Sequence, residues 1–248
     1  KSVLSRWSSL FDSGKFIDST RIEAAVEKLY GYPTAGCASG TDALILALQG
    51  LGIGMGHRVV VPVLTFTATL EAVERVGATP VLMDVDPNGL LNLSKINPGY
   101  KAVIPVHLWG SYCNLAVRKT FKIVEDAAQA FGHEQLGINS DAVAFSFYPT
   151  KILGGVGDGG MVMACSKDFI KRIKSLRDHG RHETNRSLHL TQGLNSRLDA
   201  VQSEFLSEKL STVQAGITKR RELAKLYSAL LNSKVILLGS TNSVYNVY

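Results

Sequence analysis

The sequence is poor in residues that staple, span or repeat. It has three cysteines in 248 residues, Cys37, Cys113 and Cys165. None forms a CxxC pair, and an odd count argues against a disulfide framework, so a reducing cytoplasmic compartment is expected. No apolar run reaches the roughly 18 residues of a membrane-spanning helix. The opening stretch KSVLSRWSSLFDSGK lacks the apolar core of a signal peptide. Internal repeats and low-complexity tracts are missing, which excludes a repeat architecture. There is no GxSxG elbow with a Ser-His-Asp grouping. There is no HExxH either. His179-Gly180-Arg181-His182-Glu183 resembles a metal motif only superficially, and a helix end carrying cations is the better reading. No metal site is expected.

What is present is ordinary for a soluble globular chain: 45% hydrophobic and 19% charged residues. The length allows one large domain, or one with part of a second. The net charge is +6, and the densest basic stretch is residues 167–182. Phe169, Ile170, Ile173 and Leu176 recur there at helical spacing. The spacing predicts a packed helix with a solvated basic face rather than a nucleic-acid or membrane surface.

Helix and strand signals alternate along the chain. Residues 18–31 read as a helix, with Ser19 or Thr20 as cap and Gly31 as stop. The turn Ala38-Ser39-Gly40-Thr41 opens a second helix over 42–51, and a third runs over 67–76 to Gly77. Short, continuously apolar stretches at 59–62, 80–85, 102–106, 121–125, 142–147 and 160–164 read as buried strands. That pattern predicts an α/β domain with a mostly parallel central sheet flanked by helices. The last two strands need not follow the crossover pattern. Residues 196–231 read as a long helix with a break near Gly216. Residues 235–248 read as the start of a small strand-containing region, with further residues expected after Tyr248.

Three places carry chemistry. Lys151 follows the strand at 142–147 on a turn through Pro149, just before Gly154-Gly155-Val156-Gly157-Asp158-Gly159-Gly160. Asp126 ends the apolar run Ile123-Val124-Glu125. Ser39-Gly40-Thr41 stands at a loop-to-helix junction, where free N–H groups suit a phosphate. Each has a plainer alternative: a surface lysine, an acid capping a turn, an ordinary N-cap. Together they are the parts pyridoxal phosphate chemistry needs: a Schiff-base lysine, an acid that keeps a pyridine nitrogen protonated, and an anion seat. The glycine run matches GxGxxG by letter. A strand-like stretch (161–164) follows it, so a tight turn is a better reading than a dinucleotide site. Glu125, next to Asp126, would point elsewhere and is read as structural.

In order along the chain, SGTDALILAL, VVVPVLTFTATLEAV, GATPVLMDVD, IPVHLWG, VEDAAQAFG, FSFYPTKILGGVGDGG and GLNSRLDAVQ resemble the DegT/DnrJ/EryC1/StrS sugar aminotransferase family. The resemblance covers about residues 16–248. It implies a pyridoxal-phosphate-dependent transferase of fold type I (aspartate aminotransferase-like). Residues 1–195 would form the large domain with an N-terminal helical segment. Residues 196–248 would form a linking helix and the start of a small C-terminal α+β domain. The resemblance implies that Lys151 is the Schiff-base lysine and Asp126 the partner of the ring nitrogen. By the same resemblance Gln129 contacts the ring oxygen, Phe66 lies against the ring, and Gly40, Thr41 and Ser146 hold the phosphate. Asn195 would reach the cofactor phosphate of a neighbouring subunit, supported by Arg197, which implies a homodimer with shared sites. Three departures stand out: a shorter stretch between Gly110 and Glu125, Leu194 where the family often has tyrosine, and the missing remainder of the C-terminal domain.

The resemblance implies transfer of an amino group from L-glutamate to a nucleotide-linked keto-sugar. Within the family, Asp158 in GDGG resembles enzymes acting at the sugar C3 more than those acting at C4. Alternatives are a cyclitol aminotransferase of the same family and a non-catalytic cofactor-binding regulator. Dehydratases that resemble the family carry histidine in place of the lysine, so Lys151 argues against dehydration. A nicotinamide oxidoreductase lacks its helix after Gly160.

Overall fold

Strands that are apolar on both faces must be covered on both sides, and that requirement organises this chain. The computed structural model describes residues 3–116, 120–231 and 242–246. Helix α1 (Val3–Ser13) is followed by α2 (Thr20–Tyr30). Asp18 starts α2 by accepting from Thr20 N at 2.9 Å, and Gly31 ends it at φ 78°. Then come β1 (Thr34–Cys37), α3 (Gly40–Gly50), β2 (Arg58–Pro62), α4 (Thr67–Arg75), β3 (Thr79–Met83), β4 (Ala102–Val103), β5 (Lys122–Asp126), β6 (Ala142–Ser146) and β7 (Gly160–Met163). Helices α5 (Lys167–Leu176), α6 (Ala200–Lys209) and α7 (Val213–Leu230) follow.

Among the described residues the strands form one sheet in the order β1-β7-β6-β5-β4-β2-β3. The pairs β2–β3, β2–β4, β4–β5 and β5–β6 are parallel. Only β7 runs against its neighbours, β6 and β1. The expected mostly parallel sheet is present, and the antiparallel strand is one of the two whose connection was left open. Successive residues of each strand serve opposite layers. Val59, Val61, Ala142, Ala144 and Val162 pack with α3, α4 and α5. Val143, Phe145, Met161 and Met163 pack with α2, α6 and α7, while Val60, Val103 and Ile123 pack under the loop at 90–96. The sheet face under α3 carries small residues, so this helix is buried from Ala43 through Leu48. A helix apolar on all sides has to sit there.

The structure differs from the sequence reading in several elements. β1 was missed because four residues, one of them glycine, carry no periodic signal; pairing with β7 makes it a strand. The stretch at 80–85 is not a buried strand: β3 is the edge of the sheet, and Leu82 is 60% exposed. The long helix begins at Ala200 rather than Ser196, and its break is a 3₁₀ turn at Leu210–Thr212. Gly216 lies inside α7, where a Cβ would meet nothing within 4 Å. Residues 232–241 and 247–248 of the expected small strand region lie outside the described residues, as do 117–119 of the short 110–125 stretch. Residues 242–246 form no strand. They dock on the turn at 109–110, with Val244 N donating to Gly110 O and Asn246 N to Trp109 O, both at 3.0 Å.

The basic face of α5 is not wholly solvated. Lys174 and Arg177 both reach the buried Glu23 of α2, at 2.7 and 2.6 Å, and Gly36 N of β1 donates to the same carboxylate. Burial works against the Glu23 charge, but Arg177 and Lys174 outweigh it and hold its pKa below the usual range. A depressed carboxylate pKa contributes stability above the unfolded-state value and loses it as pH falls through the folded-state value. Glu23→Gln is therefore expected to cost about 3 kcal/mol at pH 7, because it leaves cations uncompensated. Denaturant titrations should show the gap to wild type narrowing as pH drops below about 4.

Candidate functional site

The parallel strands end together at one edge of the sheet, and open α/β sheets bind ligands beyond that edge. There the structure forms a cleft of about 450 Å³. Gly40, Thr41, Phe66, Asp126, Gln129, Ser146 and Lys151 all line it, together with Thr65, Thr69 and Asp158. Seven of the eight expected site residues thus meet in space from four separate stretches of chain. Asn195 does not line the cleft. It is exposed beyond α5, where Arg197 Nη2 donates to its Oδ1 at 2.9 Å and Asp178 accepts from Arg197 Nη1 at 2.9 Å.

One end of the cleft presents donors that could hold an anion. Ser39 caps α3 by accepting from Asp42 N at 3.1 Å, so the first N–H groups of the helix face the cleft at its positive end. Buried Ser196 fixes this turn: its hydroxyl donates to Asp42 Oδ2 at 2.7 Å and accepts from Ala38 N at 3.1 Å. Gly40 has to be glycine here, since a Cβ would stand 2.7 Å from Cβ of Ser146. Ser146 Oγ accepts from Tyr148 N at 3.3 Å, leaving its O–H to donate.

The floor of the cleft is a carboxylate. Asp126 is only 6% exposed. Its Oδ2 accepts from Thr69 Oγ1 at 2.8 Å and its Oδ1 from Ala128 N at 3.1 Å. Burial pushes its pKa up, opposed by the bonds from Thr69 and Ala128 and by the field of Lys151. Glu125 is one residue earlier and so points to the opposite face of the sheet, as the sequence reading held. It accepts from Gly137 N at 2.8 Å, from Ser140 Oγ, and from His107 at 2.7 Å. Cys113 N donates to His107 Nδ1 at 3.1 Å, so the imidazole proton sits on Nε2 and is given to Glu125. Tyr112 is stacked between His107 and His133 at 4.7 and 5.0 Å. This buried block carries the turn with Trp109, whose N–H donates to Gln129 Oε1 at 2.6 Å. With its oxygen committed, Gln129 presents its NH₂ as the remaining polar group.

Lys151 sits half-buried on the turn after β6, its N–H bonded to Tyr148 O at 2.9 Å. Burial lowers its pKa, and the field of Asp126 partly opposes this. Phe66 begins α4 and is 74% exposed over the cleft, too open to be a core residue. An anion seat, a buried carboxylate, an exposed aromatic face and a destabilised ammonium suit a flat ring that carries an anionic arm and a basic nitrogen.

Sequence reasoning missed Thr65, Thr69, His107 and Trp109. The Thr pair in LTFTAT has a four-residue spacing that places both at one helix start. His107 and Trp109 gave no comparable local signal, because their partners are 18 and 20 residues away.

A profile of the DegT/DnrJ/EryC1/StrS aminotransferase family matches residues 6–243. The chain belongs to this family. It is 39% identical over 245 residues to a UDP-N-acetyl-3-dehydro-alpha-D-glucosamine 3-aminotransferase of Acidithiobacillus ferrooxidans, covering 91% of this chain and 66% of that protein. It is 36% identical to a dTDP-3-amino-3,4,6-trideoxy-alpha-D-glucose transaminase of Micromonospora megalomicea, covering 91% and 65%. The chain thus spans just under two thirds of these relatives. The crystal structure of ntda from Bacillus subtilis with bound cofactor PMP superposes with a TM-score of 0.91 at 27% identity, covering 98% of this chain and 61% of that one. The fold-type I architecture is therefore borne out for this family member. Among the described residues no cluster of metal ligands occurs, and no helix is long and apolar enough to cross a membrane.

Asp126 lets the site be separated from the fold. A carboxyl group with a raised folded-state pKa costs nothing below its unfolded value and destabilises progressively as pH rises through the folded value. Asp126→Asn removes that burden. Without added ligand its melting temperature is expected to match wild type below about pH 4 and to exceed it at pH 7–8. A scan of melting temperature against pH reads the crossover.

Proposed function

We propose that this chain binds pyridoxal phosphate and works as an aminotransferase. It would move an amino group from L-glutamate to a nucleotide-linked keto-sugar. The observation that carries this reading is the placement of half-buried Lys151 and buried Asp126 in one cleft, with the N-terminus of α3 at its end. The relatives' names, a 3-aminotransferase and a 3-amino-sugar transaminase, support a C3 position, as does the resemblance of Asp158 in GDGG to family members acting at C3. In this reading residues 1–195 are the cofactor-binding domain, and 196–248 link it to a smaller one.

The residues fit the group. The N–H groups of Gly40 and Thr41 and the hydroxyl of Ser146 would hold the phosphate. Phe66 would lie on the ring, and the Gln129 NH₂ would donate to the ring oxygen. Asp126 would pair with the ring nitrogen in a charge-assisted hydrogen bond. When bound, the cofactor supplies an electron sink for the pair of electrons left at the substrate Cα.

The chain does the rest. Burial shifts Lys151 toward its neutral amine, against the field of Asp126, and only the neutral amine can add to a carbonyl or take a proton. Once displaced by the amino donor, Lys151 Nζ would take the proton from the substrate Cα and return it on the cofactor side. Asn195, held by Arg197, would serve the phosphate seat of a second copy, making the working unit a homodimer.

Pyridoxal phosphate added to the purified protein should produce the visible absorbance of a lysine-bound cofactor, and borohydride should fix it on Lys151 by mass spectrometry. L-glutamate should bleach the band, and a screen of nucleotide keto-sugars should show amination. Lys151→Ala should lose the adduct, with turnover falling about 10²–10⁴-fold. Turnover at the wild-type rate in that variant would sink the assignment. Binding without bleaching would favour a regulator.

A further inference from the structure

Two threonine hydroxyls at the start of α4 are used unusually. Phe66 is the N-cap of this helix and makes no side-chain cap. Thr65 and Thr69 flank the first turn, where hydroxyls ordinarily satisfy free backbone N–H groups. Here they bond to each other instead, Oγ1 to Oγ1 at 2.7 Å, and Thr69 Oγ1 bonds Asp126 Oδ2 at 2.8 Å. An ionised carboxylate can only accept, so the single hydroxyl proton of Thr69 goes to Asp126. The proton between the threonines must then come from Thr65. The two hydroxyls point one way, toward the carboxylate, and such chains polarise one another. Thr69 is 1% exposed, so water does not replace its bond, and its β-branched side chain is stiff at χ1.

We infer that Thr65 and Thr69 form a directed hydroxyl relay that keeps Asp126 ionised and so holds the proton on the ring nitrogen of the bound cofactor, with Thr69 as the positioning residue. The inference rests on the cofactor reading above. Asp126 has two oxygens, and the protein commits one donor to each: Thr69 to Oδ2 and Ala128 N to Oδ1. Burial alone favours the neutral acid, and the charged or titratable groups facing it are Lys151 and His107. Without the Thr69 hydroxyl the carboxylate gains proton affinity. The proton shared with the ring nitrogen then shifts to the carboxyl oxygen, and no other bond changes. A ring without its proton is a weaker electron sink, although Thr69 itself touches only Asp126.

The test uses cofactor labelled with ¹⁵N in the ring, bound to the full chain and observed by NMR. Wild type is expected to show a protonated ring nitrogen. Thr69→Val should move that signal toward the unprotonated position and weaken cofactor affinity about tenfold, the size expected for losing a hydrogen bond to a charged group. Thr69→Ser should restore both, and Thr65→Val, which leaves Asp126 untouched, should give a smaller shift in the same direction. Wild-type ring protonation and affinity in Thr69→Val would overturn the relay while leaving the cofactor assignment intact. If Thr69→Val does not fold, Thr65→Val decides, and an unchanged signal there overturns the relay. A wild-type protein that binds no cofactor would overturn the assignment and the relay together.

Discussion

A carboxylate held at the bottom of an apolar sheet is costly, and the architecture around the cleft follows from that cost. Asp126 ends β5, the middle strand of the sheet, with α3 and α4 above it. An ionised side chain there needs donors on both oxygens. One comes from the backbone at Ala128 and one from α4 through Thr69. These bonds fix the start of α4, which carries Phe66 over the cleft. The same strand end holds the 107–113 segment, because His107 N donates to Asp126 O at 3.0 Å. Both walls of the cleft are therefore tied to one residue.

The two adjacent acids divide the work by strand alternation. Asp126 faces the cleft and keeps capacity for a ligand. Glu125 faces the other layer, where His107, Gly137 and Ser140 satisfy it. That second cluster is a fully bonded buried network of the kind that rigidifies its surroundings. It holds Trp109 at φ 58°, a left-handed conformation that bulky residues avoid. The strain is local, and Gln129, Asn246 and Ser243 bond the peptide groups on either side. Orientation of Gln129 in the cleft is thus set by groups that never reach it.

The position of Asn195 has a related logic. The loop that carries it is bonded to α3 through Ser196 and Asp42, the same turn that forms the anion seat. The outer loop and the start of α3 thus form a single hydrogen-bonded unit.

By itself the sequence determined the layers and singled out the candidate residues of the cleft. Apolar runs of strand length alternating with helical periods dictate a covered, mostly parallel sheet, because such strands cannot face water. Residue types with few plain uses in combination, Lys151, Asp126 and the Ser39-Gly40-Thr41 turn, identified the cleft before any contact was known. What the tertiary structure alone decided depends on partners distant in the chain. β1 is a strand only because β7 offers it hydrogen bonds, and β3 is half-exposed only because it is an edge. The break at Leu210–Thr212 rather than at Gly216 follows from how α6 and α7 pack on the α2 side of the sheet, which local propensity does not encode. Thr69 and His107 acquire their roles from Asp126 and Glu125, which lie 57 and 18 residues further along. Hydrogen bonds of that kind have no period and no composition, so only the folded chain reveals them.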